Sequence, residues 1–158
     1  MGDEFANNAA ARNAQKMTRI LDAAKPSQMD AFGLAEDRVV ELFQLWLIVG
    51  AWAKSPDYVN LYKDQMLYPR APKPNPGGTK DLDLVRPAIK GVAETFGKST
   101  DENRLKNAFD LAHNRMINFM LQYQADLAKK STAKAEQLKS KLTKAAEDVR
   151  LNYKKYWQ

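Results

Sequence analysis

The chain has 158 residues, of which 44% are hydrophobic and none is cysteine, and its formal net charge is +6. This length and hydrophobic content suffice for one domain with its own core and are too small for two large domains. The absence of cysteine excludes disulfide bonds, thiolate nucleophiles and zinc sites built on sulfur.

The charge is distributed unevenly along the chain. Residues 128–158 carry nine Lys and Arg against three Asp and Glu, whereas residues 1–127 carry 16 residues of each sign. Such an asymmetry favours a polyanionic partner, which can be a nucleic acid, an acidic membrane surface or an acidic protein.

No export or membrane-spanning signal is visible in the sequence. The N-terminus MGDEFANNAA lacks the basic residues and the apolar run of a signal peptide. The longest apolar run, Val39 to Ala53, is interrupted by Glu41 and Gln44, and it is shorter than the roughly 20 residues that cross a bilayer. We expect this run to form a buried core helix.

The sequence predicts an all-α protein, because alternating β-branched runs between turn pairs are absent. We expect a helical bundle with an N-terminal helical arm, a Pro-rich crossover loop and a long basic C-terminal helix or helical hairpin. The predicted segments are a basic arm at 1–26, a bundle core at 27–128 with the Pro-rich loop at 68–80, and a basic helix at 129–158.

The first predicted helix runs from about Glu4 to Ala24. Its cations Arg12, Lys16 and Arg19 share one face, since they are spaced at i, i+4 and i+7, and Lys25 follows at its end. Two interpretations stay open. The helix either packs its apolar side on the bundle through Met17, Ile20 and Leu21, or forms an arm that faces a nucleic acid.

The second predicted helix spans about 28 to 53, with a cap formed by Ser27 and Asp30. Its stretch VVELFQLWLIVGAWA is apolar on nearly every side, so other helices must surround it. Gly50 is a candidate for a close helix crossing, and the tryptophans are interpreted as core filling. The predicted core residues are Val39, Leu42, Phe43, Trp46, Leu47, Val49 and Trp52.

Ser55-Pro56-Asp57 predicts the start of a third helix, which ends near Tyr68. The following loop, YPRAPKPNPGGTK, contains four prolines and the basic residues Arg70 and Lys73. Proline forbids a helix here and favours extended backbone. The loop is either a plain crossover of the bundle or a segment that contacts phosphates or docks on a neighbouring subunit.

A fourth helix is predicted from Leu82 to Phe96, closed by Gly97. Ser99 with Glu102 resembles a capping box for a fifth helix, and no glycine or proline follows from residue 100 to the end. Two sets of apolar residues at helical spacing are separated by the polar stretch 129–132, where we expect a hairpin or kink. The alternative is one uninterrupted helix.

Catalytic chemistry finds little support. His113 is the only histidine, and we interpret it as a structural or surface residue because no serine has the context of a nucleophile. Asp110 and His113 lack the partner motif of a di-metal bundle. We therefore expect no enzymatic activity, no metal and no cofactor.

Binding features are more numerous. An amide-rich face, which includes Asn103, Asn107 and Asn114, is flanked by Arg104 and Arg115, and amides can hydrogen-bond a sugar–phosphate backbone without burying charge. The closing YKKYWQ suits stacking or docking onto a neighbouring subunit. We favour docking and assign Tyr153, Tyr156 and Trp157 to a subunit interface.

The order of these features resembles the major coat proteins of filamentous archaeal viruses of the lipothrixvirus and rudivirus type. The resemblance is architectural and covers most of the chain. It implies a subunit that wraps double-stranded DNA, held in A-form, inside a helical virion assembled in the host cytoplasm. By this resemblance Arg12, Lys16 and Arg19 face the DNA, and the terminal aromatics make subunit contacts. The high content of Asn and Gln is a departure, because proteins from very hot sources usually contain few of these thermolabile amides.

The sequence thus predicts a self-assembling coat protein that packages double-stranded DNA through sequence-independent phosphate contacts, alone or with a related second coat protein. The predicted DNA-binding residues are Arg12, Lys16, Arg19, Lys25, Arg70, Lys73, Arg104 and Arg115. The alternative is an adaptor or secretion-associated bundle that binds an acidic protein through its C-terminal helix. Membrane contact through the basic tail is a third, less favoured option.

Overall fold

A computed structural model describes residues 2–23, 34–67, 81–98 and 101–157. These residues contain helices and no strand, which confirms the all-α prediction. The elements, in chain order, are α1 (Gly2–Asp22), α2 (Glu36–Ala53), α3 (Asp57–Leu67), α4 (Asp81–Lys98), α5 (Glu102–Lys130), α6 (Thr132–Asn152) and a terminal 3₁₀ turn (Tyr153–Trp157).

Helix α2 lies at the centre of the bundle, in contact with α1, α3, α5 and α6. Its predicted core residues are buried except Trp52, which is half-buried with its ring 5.5 Å from that of Phe96 on α4. A helix that is apolar all round is stable only when neighbours cover each side. The other helices pack around it and hold the outer faces where binding can occur.

Helix α1 packs into the same core and does not form a separate arm over the residues described. Ala9, Ala14, Met17 and Leu21 have no exposed surface, and α1 contacts both α2 and α4. The small alanine side chains on the buried face of α1 allow this close packing within the chain itself. The basic stripe of α1 lies on the opposite, exposed side.

The predicted break between the last two helices is confirmed. Ser131 is the single non-helical residue between α5 and α6. Its backbone N–H donates to the Leu127 carbonyl and its hydroxyl accepts from the Lys134 N–H. Because α6 contacts α5 and α2, the two helices form a hairpin. The apolar face of α6 is buried through Leu138, Leu142, Ala146 and Val149.

Two capping predictions have different outcomes. The cap of α5 is Asp101, whose carboxylate accepts from the Asn103 N–H at 3.0 Å, so the assignment of that cap to Ser99 is wrong. An acidic side chain is an equally good acceptor for a free helix N–H. The predicted cap at Ser27 and Asp30 and the Pro-rich loop at 68–80 lie outside the described residues.

The predicted close crossing at Gly50 is confirmed. A Cβ at this position would overlap the Tyr58 ring and lie 3.1 Å from Cζ of Phe109. Trp46, one turn earlier on α2, stacks on Phe109 with ring centroids 4.1 Å apart and an interplanar angle of 10°. The missing side chain at Gly50 therefore lets α3 and α5 approach α2 at one point.

Candidate nucleic-acid interface

Two grooves run along the exposed side of α1. The groove between α1 and α4 has a volume of about 510 Å³ and is lined by Gln15, Thr18, Arg19, Lys90, Ala93, Glu94, Gly97 and Lys98. The groove between α1 and α2 has a volume of about 550 Å³ and is lined by Lys16, Arg19, Ile20, Ala23, Leu34, Ala35, Arg38 and Glu41. Arg19 lines both, so the two grooves form one continuous surface across three helices.

We call this region the α1 surface and define it by its cations, which are Lys16, Arg19, Arg38, Lys90 and Lys98. Its acids are Glu41 and Glu94. Glu41 forms an ion pair with Arg38 at 2.7 Å. In the described ranges no ion pair involves the other four cations. Cations that lack internal partners are available to an external polyanion.

A third groove adjoins this surface between α4 and α5. It has a volume of about 490 Å³ and is lined by Glu94, Thr95, Lys98, Arg104, Asn107, Ala108 and Leu111. Lys98 and Glu94 belong to both this groove and the α1–α4 groove. This groove also carries a large apolar side chain in solvent, because Leu111 is 81% exposed.

The structure brings together only part of the predicted DNA-binding set. Lys16 and Arg19 lie on the α1 surface. Arg12 is exposed one turn before Lys16, and Arg104 lines the third groove. Arg115 is exposed on α5, three turns beyond Arg104. Lys25, Arg70 and Lys73 lie outside the described residues.

The sequence alone does not mark Arg38, Lys90 and Lys98 as members of this surface. Each is separated by many residues from α1, and each stands near acids of its own helix, so no local run of charge marks it. The exposed positions 90, 94 and 98 do recur at helical spacing on α4. Only the packing of α2 and α4 against α1 makes these cations neighbours of Arg19.

The basic C-terminal helix places its cations in solvent. Lys134, Lys144, Lys154 and Lys155 are exposed. Lys141 pairs with Glu36 on α2 at 3.1 Å, and Arg150 pairs with Glu147. Part of the charge that dominates the sequence is therefore offset by acids of the same molecule.

The three aromatics assigned to a subunit interface contact the chain's own bundle. The Tyr156 hydroxyl donates to Asp148 and accepts from Gln44 Nε2 at 3.1 Å, and Trp157 Nε1 donates to the Ile48 carbonyl at 3.5 Å. Tyr153 is half-buried with its ring centroid 5.1 Å from that of Trp157. The Tyr156 hydrogen bond is the main cause that lowers the pKa of Asp148.

His113 belongs to a hydrogen-bond chain that begins in the core and ends at this half-buried side chain. Trp46 Nε1 donates to Tyr58 Oη at 2.9 Å, and Tyr58 Oη lies 2.8 Å from His113 Nδ1. Since the tyrosine has one proton, it can donate only to an unprotonated Nδ1. Burial lowers the pKa of His113, the Asp110 carboxylate acts in the opposite direction, and the Lys54 ammonium lowers it further. This chain gives His113 a structural role.

The residues with described positions contain no group of three or more His, Asp or Glu side chains that could hold a metal ion. Among the same residues, no helix combines the length and apolar character needed to span a bilayer.

Comparison with known proteins identifies no relative. No family model matches the sequence, no curated protein is similar to it, and no solved structure resembles it.

Proposed function

We propose that the protein is a non-enzymatic, self-assembling coat protein that packages double-stranded DNA through phosphate contacts made by the α1 surface. The observation that carries this proposal is the continuity of the two grooves through Arg19, which places five cations from three helices on one face. Phosphate oxygens are the acceptors that lysine and arginine side chains contact most often in DNA complexes.

The composition of this surface favours contact with the backbone of the nucleic acid over recognition of bases. Its cations line two shallow grooves on three different helices, so no single recognition helix presents them together. Phosphate contacts fix position without reading sequence. Each neutralised phosphate releases condensed counterions, so binding by four to five cations predicts a slope of log K against log salt of about −4.

A packaging role is supported by the combination of this surface with a small, cysteine-free bundle. One subunit offers few phosphate contacts, so its affinity for DNA is modest. Many subunits on one duplex act together, because each bound neighbour raises the effective concentration of the next. We place the assembled protein in the virion of a filamentous virus.

The adaptor alternative has less support. A C-terminal helix that recruits a protein partner by its apolar side needs that side free, whereas Leu138, Leu142 and Val149 of α6 are buried against the chain's own bundle. Its remaining contribution is exposed charge, which acts on any polyanion.

Anisotropy of a labelled short duplex, titrated over a salt series, tests the proposal. The double variant R19E/K90E removes two cations and adds two acids on the α1 surface. We expect its affinity to fall at least about tenfold and its salt slope to become shallower by about 2. Electron microscopy of wild-type protein with DNA should reveal filaments that enclose the duplex.

The matched control is K134E/K144E, which makes the same change of charge at exposed positions of α6. We expect a much smaller loss of affinity for this variant. Equal losses for the two variants would mean that net charge, and not the α1 surface, determines binding. Salt-insensitive binding by the wild type would contradict the proposal altogether.

A further inference from the structure

Two exposed leucines lie on helix faces of opposite charge. Leu61 on α3 is 57% exposed and Leu111 on α5 is 81% exposed. A single exposed leucine needs no explanation, since apolar atoms form much of any protein surface. The charges that flank these two leucines distinguish them.

The face of α3 is acidic around its leucine. Asp57 precedes Leu61 by four residues and Asp64 follows it by three, so all three side chains lie within about 60° on the helix. Both aspartates are exposed. No ion pair between described residues involves either of them. We call Asp57, Leu61 and Asp64 the acidic stripe.

The face of α5 is basic around its leucine. Arg104 precedes Leu111 by seven residues and Arg115 follows it by four, so the three lie within about 40° on the helix. Both arginines are exposed, and neither forms an ion pair within the part of the chain that the structure describes. We call Arg104, Leu111 and Arg115 the basic stripe.

The two stripes cannot meet within one molecule. The side of α5 that contacts α3 carries Phe109, whose ring centroid is 5.3 Å from that of Tyr58. Leu111 is two residues further on, which turns it by about 200° from Phe109. The basic stripe therefore points away from α3, and the complementary charges remain apart in the isolated chain.

We propose that the acidic stripe of one molecule docks on the basic stripe of a second copy, with Leu61 packed against Leu111 and the aspartates paired with the arginines. The aspartates span about 10 Å of helix and the arginines about 16 Å, at 1.5 Å per residue, so each arginine reaches inward to a carboxylate. Asn107 and Asn114, which are exposed beside the basic stripe, supply hydrogen bonds at its edge.

This contact joins two different surfaces of identical molecules. Such a head-to-tail interface leaves a free stripe at each end, so it can propagate into an open helical array. Opposite charges fix the register and suppress like-to-like pairing. The inference deepens the proposed function and rests on it for the expectation that copies associate. It assigns Arg104 and Arg115 to protein contact in place of the phosphate contact predicted from the sequence.

Charge reversal tests the contact in sedimentation velocity runs on DNA-free protein at low salt. The wild type should associate as its concentration rises. D57R/D64R and R104E/R115E each place like charges across the interface, and each should weaken self-association at least about tenfold. An equimolar mixture should regain association, because each stripe then finds an opposite stripe on the other variant.

The leucines provide an independent variant with a matched control. Leu61→Lys removes the apolar contact and places a cation opposite the two arginines of the second copy, so it should weaken association about tenfold or more. Leu151→Lys changes a leucine that is 63% exposed and belongs to neither stripe, so association should stay within about twofold. Circular dichroism melts check that all variants remain folded.

The proposal is overturned if the wild type stays monomeric, if the reversed variants associate like the wild type, or if their mixture fails to recover. The proposed DNA function fails in a different way, through salt-insensitive binding of duplex by protein that still self-associates. A monomeric wild type that binds DNA with the expected salt slope would contradict the stripe contact and still support DNA binding by the α1 surface.

Discussion

Gly50 is a residue at which the bundle tolerates little change. In an exposed helix position, replacing glycine by alanine adds stability of about 0.5–1 kcal/mol. At Gly50 the added methyl group would overlap the buried Tyr58 ring, and overpacking of this kind costs about 1–3 kcal/mol. We expect Gly50→Ala to lower the free energy of unfolding by about 2 kcal/mol in urea denaturation.

Gly91 provides the control for that substitution, since it lies inside α4 and a Cβ there meets nothing within 4 Å. Gly91→Ala should raise the free energy of unfolding by about 0.5–1 kcal/mol. If both substitutions changed the free energy of unfolding in the same direction, the result would contradict the tight helix crossing at Gly50.

His113 gives the fold a dependence on pH. Its folded pKa lies below the ordinary histidine value of about 6.5, so the unfolded chain takes up the proton first as the pH falls. The contribution of neutral His113 to the free energy of unfolding is complete above about pH 7. It is lost as the pH falls through about 6.5 towards the folded pKa. In the tautomer whose Nδ1 accepts from Tyr58, protonation also turns this nitrogen into a donor.

We expect the wild type to lose stability between about pH 7 and pH 5.5, and His113→Gln to lose less over that interval. The measurement is the free energy of unfolding at each pH, taken as the difference between the two proteins so that carboxylates common to both cancel. Parallel pH profiles would show that His113 does not titrate with folding.

At the scale of elements, the carboxylate of Asp148 on α6 accepts hydrogen bonds from both the terminal 3₁₀ turn and α2. Asp148 accepts hydrogen bonds from Tyr156, Gln44 and Asn152, and these bonds lower its folded pKa. The stabilisation exists above the ordinary aspartate pKa of about 3.9 and is lost as the pH falls through the folded value. Asp148→Asn removes the charge that strengthens these bonds.

We expect Asp148→Asn to speed amide hydrogen exchange in residues 153–157 and to leave the core of α2 protected. Glu147→Gln is the control, because Glu147 forms an exposed ion pair with Arg150, and exposed pairs of this kind contribute little. Unchanged exchange in Asp148→Asn would mean that the charge of Asp148 does not hold the turn.

The helices could be predicted from the sequence because their signals are local. The apolar spacing from Leu105 to Leu127 identifies the buried face of α5, and the polar stretch before Lys134 identifies the hairpin. The α5 cap was misplaced because Ser99 and Asp101 are both acceptable caps, and only backbone geometry distinguishes them. The role of α1 could not be predicted, since small residues suit an internal neighbour and an external one equally.

At the scale of the whole molecule, the candidate site depends on which helices are neighbours. Lys16 and Arg19 follow from helical spacing, whereas Lys90 and Lys98 join them only because α4 packs against α1. The excess of positive charge in residues 128–158 predicts that the C-terminus binds a polyanion. In the fold, some of that charge pairs with acids of the bundle, and the α1 surface offers the grooves.

The packing of α1 also determines how a bound polymer would be held. Met17 and Leu21 pack this helix onto the bundle. The backbone that carries its cations is therefore fixed to the bundle and does not extend away from it as a separate arm. A duplex bound to the α1 surface would have to match anchor points fixed by the bundle, and stiff sequences would resist any deformation that this match needs more than pliable ones. A molecule that reads no bases would then still favour some stretches of a genome, through mechanics alone.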